Sequence, residues 1–525
     1  MGGGPRERSP SRAGGSRRVS VQGIARMTRG PVRLTGGLFH RETARRLAAS
    51  PIPELSPLWG FWIAAGILSV VLGAWLLEGI EGPTEVLAHS IGVGTLTFLC
   101  LGIGVALWKD PGALVSPGVV MAGGCIYLFV LDMALLRRME GFPIRVLFLS
   151  ETLGALFVAL AFLGWFAFRP KSSPLSALLR WADFSLEPRL YFWMALFAFG
   201  MEFAKRILLA DGDISMVLED LFLTRSGDNE GNKLRSGAVG DWRGLLYFTG
   251  IFFLMVPFCA ARAWTPDLSV GKKVVLVVVV SLDVGTLLLE GVRGSLLQAI
   301  GLPLLIRFIE RRGNLRRLLA GMVAGVIVLT PITDFMVSVR GVGWENVGDL
   351  EAPELEFGGS HRDDNLYWIA NLVDSLERDK GLAAHAGPIG FLSAAGQIAT
   401  FVAITFVPRV FWPGKPDPRE LGDDTRSWWA SRSIVGDLVG AGGLSGLIVG
   451  AFVFGLGVRW LLGPLYSMPK RDGAMLCYAY LLLVLQMEIR AVTTFQSGPV
   501  IFALLTITSG MLRIFLQRKR RLAFP

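Results

Sequence analysis

The chain has 525 residues, 52% of them hydrophobic and only 18% charged, a balance foreign to soluble domains that points to a membrane protein with many spans. The formal charge is +10, from 52 Lys and Arg against 42 Asp and Glu. These cations gather in the N-terminal tail and in short loops between apolar runs. They therefore read as topology signals and contacts to anionic lipid heads, and nucleic acid is excluded as a partner.

In chain order, residues 1–50 are rich in Gly, Ser, Pro and Arg, hold eleven arginines and contain no apolar run. They read as a disordered basic tail on the cytoplasmic side, without the apolar core of a secretory signal. Runs long enough for a bilayer follow, since its core of about 30 Å takes about 20 residues of helix. Before a long polar loop they are Leu58–Leu77, Val86–Leu107, Leu114–Leu136, Val146–Phe168, Leu190–Leu209, Gly244–Ala263, Val274–Leu289, the short Leu296–Ile309, and Leu318–Val337. After the loop come Val435–Leu462, Ala474–Met487 and Val500–Leu516. The fold class predicted is all-α, a polytopic membrane protein of about 12 transmembrane helices with one large extracytoplasmic loop. Its parts are the tail at 1–50, nine helices within 51–338, the loop at 339–432, and three helices with a basic C-terminus within 433–525.

Basic residues alternate with the spans. One side collects the tail, Arg169, Lys171, Lys272, Lys273, Arg311, Arg312, Lys470 and Arg518–Arg521, while Arg137, Arg138 and Arg145 break the pattern. Both termini are thus expected inside. The long loop carries nine Lys and Arg against fourteen Asp and Glu, without the basic excess of a cytoplasmic loop. Within it, Asn365–Leu376 sets Leu366, Ile369, Ala370, Leu372 and Val373 on one face, which predicts an amphipathic helix on the membrane surface or packed over the bundle. Ile389–Phe406 is expected to be re-entrant or interfacial.

That segment feeds Phe406–Asp417, which reads Phe-Val-Pro-Arg-Val-Phe-Trp-Pro-Gly-Lys-Pro-Asp. Its prolines forbid a continuous helix and predict a stiff, extended arm. Arg409 and Lys415 supply a two-pronged and a point cation for phosphate, and Phe411 and Trp412 offer flat faces to a sugar ring. The alternative is a rigid loop that only caps the bundle.

Further cations fall at the outer ends of spans. Arg293 lies in the turn Glu290-Gly-Val-Arg-Gly-Ser, Arg340 follows the ninth span, Arg432 precedes the tenth and Arg490 ends the eleventh. A cation near the membrane needs a partner or a function. Each can instead snorkel to lipid, or pair with Glu290 or Glu488. Base candidates are His361, Asp363 and Asp437, with Glu290 beside Arg293. Most charges sit at span ends and no internal repeat occurs, which argues against a transporter. Asp211-Gly212-Asp213 reads as a solvated turn and no Cys/His spacing suggests zinc, so no metal and no cofactor are expected. There is no phosphate-binding Walker loop and no Gly-x-Ser-x-Gly elbow. Cys100, Cys125, Cys259 and Cys477 lie in apolar runs and predict no disulfide framework.

Four stretches taken together resemble the bacterial oligosaccharide repeat-unit polymerases, the Wzy-type O-antigen polymerases. Asp110-Pro111 with Leu114-Val115-Ser116-Pro117 is similar to the opening of an early span. Gly291-Val292-Arg293-Gly294-Ser295 resembles the family's Ser-x-Arg-Gly turn. Val407–Pro416 resembles its Ile-Pro-Arg-x-x-Trp-Pro-x-Lys-Pro arm. Gly436-Asp437 ahead of Gly440–Gly457 resembles the Gly-Glu segment of a late span, with Asp for Glu. The likeness runs from Asp110 to Gly457. It passes over Gly358–Asp379, leaving sugar specificity open.

The resemblance implies a multi-pass protein of the bacterial inner membrane. Its implied activity transfers a glycan from undecaprenyl diphosphate to another lipid-linked unit at the periplasmic face, without nucleotide sugar or metal. Implied partners are that lipid-linked oligosaccharide and membrane lipids, with a chain-length regulator and a flippase. On this reading Arg293, Arg340 and Arg409 hold the diphosphate, Trp412 and Lys415 hold the donor, and the glycines of the tenth span line a groove for the lipid tail. A glycan ligase and a lipid or polysaccharide flippase are the alternatives.

Overall fold

The computed structural model describes residues 84–130, 142–210, 212–215, 251–289, 293–310, 365–379, 433–467, 471–490 and 498–523, with residues 66, 133 and 217. Every element among them is helical and none is a strand, in line with the all-α expectation. A backbone surrounded by apolar groups must satisfy its own N–H and C=O groups, and a helix does so within one segment.

The first half comprises α1 (Thr84–Lys109), α2 (Pro117–Cys125), α3 (Ile144–Ala167), the short α4 (Ser176–Trp181) and α5 (Pro188–Leu209). A π-helix, Ile126–Val130, extends α2, and a 3-10 turn, Pro111–Val115, precedes it. Next come α6 (Ile251–Ala263), α7 (Val270–Leu289), α8 (Arg293–Glu310) and α9 (Asn365–Asp379). The last are α10 (Ser433–Leu462), α11 (Asp472–Arg490) and α12 (Gly498–Ala523).

The stretch from Asp110 to Pro117 is built by two caps. Asp110 Oδ1 accepts from Gly112 N at 2.8 Å with Pro111 opening the 3-10 turn, and Ser116 Oγ accepts from Val119 N at 3.4 Å with Pro117 opening α2. A side-chain oxygen on an otherwise unpaired N–H, followed by a proline that has none, is a helix-start signal. These residues therefore have a local structural role.

Among the described residues, three helical stretches are long and apolar enough to cross a membrane: Ser90–Trp108, Ile144–Ala167 and Gly442–Tyr466. Rows of large apolar side chains face outward on other helices too, such as Val274, Val278 and Leu282 on α7 and Trp193, Phe197 and Met201 on α5. Scattered apolar residues are normal on a soluble surface, but whole rows of them need lipid or a partner.

The helices pack as two groups. α1, α2, α9 and α10 gather with α3, and α5, α7 and α8 gather around α6. α11 joins them by packing on α2 and α10 in one and on α8 in the other. The closest crossing is that of α3 and α10. A Cβ on Gly455 would land on the Ala161 carbonyl, and one on Gly164 on the Phe452 carbonyl. Small residues at such a crossing let two backbones approach where no hydrophobic effect drives them together.

Several boundaries differ from the sequence reading. The seventh span starts a turn earlier, so Lys272 and Lys273 lie on α7. The eighth lies in a helix of 18 residues, but its apolar part is short, Gln298–Arg307, as expected. The tenth is not one continuous span. α10 breaks at Gly442 (φ −151°, ψ 20°) and Gly443 (φ 60°, ψ −149°), the second in a conformation open only to glycine. Leu438, before the break, packs on Gly450, after it. Twelve residues of straight helix would separate them by about 18 Å, so the arm Ser433–Ala441 doubles back on the spanning arm. Of the glycines expected to line a groove, Gly450 is filled by Leu438 and Gly455 by α3, while Gly457 faces open space.

Candidate functional site at the two ends of the bundle

Apolar helices leave their chemistry to their ends and to the few polar groups inside them. At one end, four helices meet through buried ionisable groups. Arg262, closing α6, lies 2.5 Å from Glu310, closing α8, and 3.1 Å from Asp472, opening α11. Tyr191, in the first turn of α5, donates its hydroxyl to Asp472 at 2.8 Å. One guanidinium thus serves two carboxylates in a largely water-free place, which the planar fork of arginine suits.

Other polar ties gather at the same end. Tyr466 OH donates to Asp110 Oδ2 at 3.2 Å, and Ser173 Oγ to the Leu461 carbonyl at 2.5 Å. Arg471 N donates to Asp183 Oδ1 at 2.8 Å, and Gly473 N to the Phe184 carbonyl at 3.1 Å. Arg513 bonds the carbonyls of Arg180 and Trp181. The connections after α1, α3, α6 and α10 therefore lie on one side, together with the end of α8. These are the loops whose cations the sequence assigns to one face. Exposed Trp108, Trp264, Trp460 and Phe168 ring this end, as aromatic side chains do at a membrane–water boundary.

The opposite end is where Arg293 and Arg490, two of the predicted site residues, fall. α8 runs from Arg293 to the tied Glu310, and the adjacent α11 runs from the tied Asp472 to Arg490. Their 18 and 19 residues place Arg293 and Arg490 roughly 27 Å from the network, at the same far end. Arg293 is the first residue of α8 rather than a turn residue. It stands where unpaired backbone N–H groups and the helix dipole already favour an anion. Asp437 lies on the returning arm of α10, half-buried. The same arm opens on Ser433, fully buried at φ 58° with no partner for its hydroxyl.

α9 covers this end. Leu366, Ile369, Ala370, Leu372 and Val373 are all buried, and the helix packs on α3, α10 and the π-helix. Tyr367 meets Phe142, just before α3, edge to face at 5.2 Å. Of the two placements the sequence offered for this helix, the structure takes the one over the bundle. Arg340, His361, Asp363, Arg409, Phe411, Trp412, Lys415, Arg432 and Glu290 lie outside the described residues, as do the tail at 1–50 and the first and ninth spans apart from Gly66.

Sequence reasoning overlooked polar groups inside the spans. Glu151 on α3 is 0% exposed and both carboxyl oxygens lack a partner. Glu202 on α5 is buried between Lys205 at 2.6 Å and Arg206 at 3.5 Å. Asp283 on α7 is buried as well. Among the described residues no three His, Cys, Asp or Glu side chains are grouped to hold a metal. Asp213 Oδ1 accepts from the backbone N and hydroxyl of Ser215, and Asp211 lies outside the described residues. The four cysteines are free. Among family models, curated proteins and solved structures, none matches this chain.

Proposed function

We propose that the protein is a membrane glycosyltransferase of the oligosaccharide repeat-unit polymerase type, acting at the periplasmic face of the bacterial inner membrane. The observation that carries this is the Pro408–Pro416 arm, with two cations and two aromatic rings fixed between prolines. Supporting it, Arg293 and Arg490 belong to the helix ends away from the ion network. On this reading about 12 spans carry both termini inside, and the 339–432 loop lies outside.

The donor is a glycan on undecaprenyl diphosphate. The bond from the anomeric carbon to the diphosphate oxygen breaks, and its electron pair leaves with the phosphate. The acceptor sugar's hydroxyl oxygen forms the new bond and gives up its proton to a base, for which His361, Asp363 and Asp437 are the candidates. Fixed cations stabilise the charge that grows on the leaving group. Arg293, Arg340 and Arg409 take that role, and Trp412 and Lys415 hold the donor.

Arg409→Ala tests it. Removing one preorganised donor from a developing oxyanion costs about 3 kcal/mol, roughly a hundredfold in rate. The glycan ladder in cells should collapse to single repeats while protein stays in the membrane. Arg409→Lys should restore it only in part, because a point charge cannot copy a two-pronged contact. A normal ladder with Arg409→Ala overturns the reading.

A second reading, a flippase or other transporter, is favoured by one observation, the carboxyls of Glu151 and Asp283 buried inside spans. Loss of all lipid-linked glycan from the outer face, in place of single repeats, would select it.

A further inference from the structure

Glu151 sits on α3 seven residues in from Ile144, about 10 Å along the axis. It is fully buried. One turn on, Gly154 faces Met133 and Phe129, and one turn before, Leu147 and Phe148 belong to the apolar core. Its neighbour Ser150 is occupied with the Val146 carbonyl at 2.7 Å. Neither oxygen of Glu151 meets a donor.

An ionised carboxylate with no partner in such a place is not sustainable, because nothing replaces the water it has lost. Something must neutralise it. The charged and titratable side chains described on α3 and the elements packed on it are Arg145 on α3, Cys100 on α1, Tyr127 on the π-helix, Tyr367 and Asp374 on α9, and Asp437 and Arg459 on α10. None of them bonds Glu151, and Arg459 lies toward the tied end, stacked over Trp165 at 4.9 Å. A divalent cation takes six or more oxygen ligands, whereas this carboxyl offers two. The smallest ligand, and the one that needs no further partner, is a proton.

We propose that Glu151 is a proton-binding site inside the bundle, carried as the neutral acid while the helices are packed as described. Exchange of that proton requires α3 to part from a helix packed on it, since Glu151 is fully buried. This assignment stands apart from the glycan chemistry, and the two fail independently.

Infrared spectra of the full-length protein in lipid vesicles at neutral pH provide the test. The carbonyl stretch of a protonated carboxyl is resolved from carboxylate bands. Part of that signal should be lost in Glu151→Gln. Should that variant not reach the membrane, Glu151→Asp should shift the same component. On the wild type, lipid-soluble dicyclohexylcarbodiimide reports independently. The acid proton passes to one of its nitrogens, the carboxyl oxygen adds to its carbon, and an acyl shift leaves a stable N-acylurea. Mass spectrometry should find that adduct on Glu151. A protonated-carboxyl signal unchanged by either substitution, with no adduct at Glu151, would overturn the proposal.

Discussion

Arg262 holds two carboxylates from two other helices, so its loss differs from that of an ordinary surface charge. Arg262→Met would leave Asp472 buried without a cation and Glu310 with the exposed Arg307 at 4.0 Å. Breaking a buried pair from one side costs about 3–5 kcal/mol. Removing all three charges together, with Glu310→Gln and Asp472→Asn added, should cost less than Arg262→Met alone, because no bare charge then remains. Thermal unfolding in detergent checks both, and a triple variant less stable than the single one would refute the account. This network was not legible in the sequence. Arg262 and Glu310 are 48 residues apart, and Tyr191 and Asp472 are 281 apart. Each reads alone as a loop charge beside a span. Glu151 escaped notice for another reason. A single carboxyl among Leu147, Phe148, Leu149 and Leu153 hardly lowers the apolarity of its run.

The helices themselves were the most legible part. Val146–Phe168 and the observed Ile144–Ala167 nearly coincide, because a long apolar run between polar loops has few other ways to satisfy its backbone. The buried face of α9 was also readable, since five apolar residues at helical spacing point one way. α10 was misread. Gly440-Ala-Gly-Gly443 keeps the run apolar, so its hydropathy continues through the place where the backbone turns back. The adjacent glycines were the available signal. Its crossing with α3 yields a prediction. Gly455→Leu forces α10 away from the Ala161 carbonyl, and overpacking of this kind costs about 1–3 kcal/mol. Gly457→Ala, two residues on, meets open space and should be neutral or slightly stabilising. Equal losses of folded protein for the two variants, measured as monodisperse yield in detergent, would discard the crossing as the cause.

Across the whole molecule, the alternation of basic loops and the gathering of polar ties agree on which connections share a side. Cysteine accessibility decides which side that is. With Cys100, Cys125, Cys259 and Cys477 replaced, an impermeant thiol reagent added outside intact cells should modify Asp349→Cys and spare Lys519→Cys. Reaction at both, or at Lys519→Cys alone, would reverse the proposed orientation. The chemistry of the arm remained a reading of sequence, because its meaning depends on what faces it. The ring of ion pairs at one end has a mechanical consequence. Parting α11 from α6 there would strip Arg262 of Asp472 and leave it with Glu310 of its own helix group, whereas at the other end α9 rests on α3 and α10 through apolar side chains. α11 is thus the clasp between the two groups: it ties one through Asp472 and lies on the other along α2 and α10.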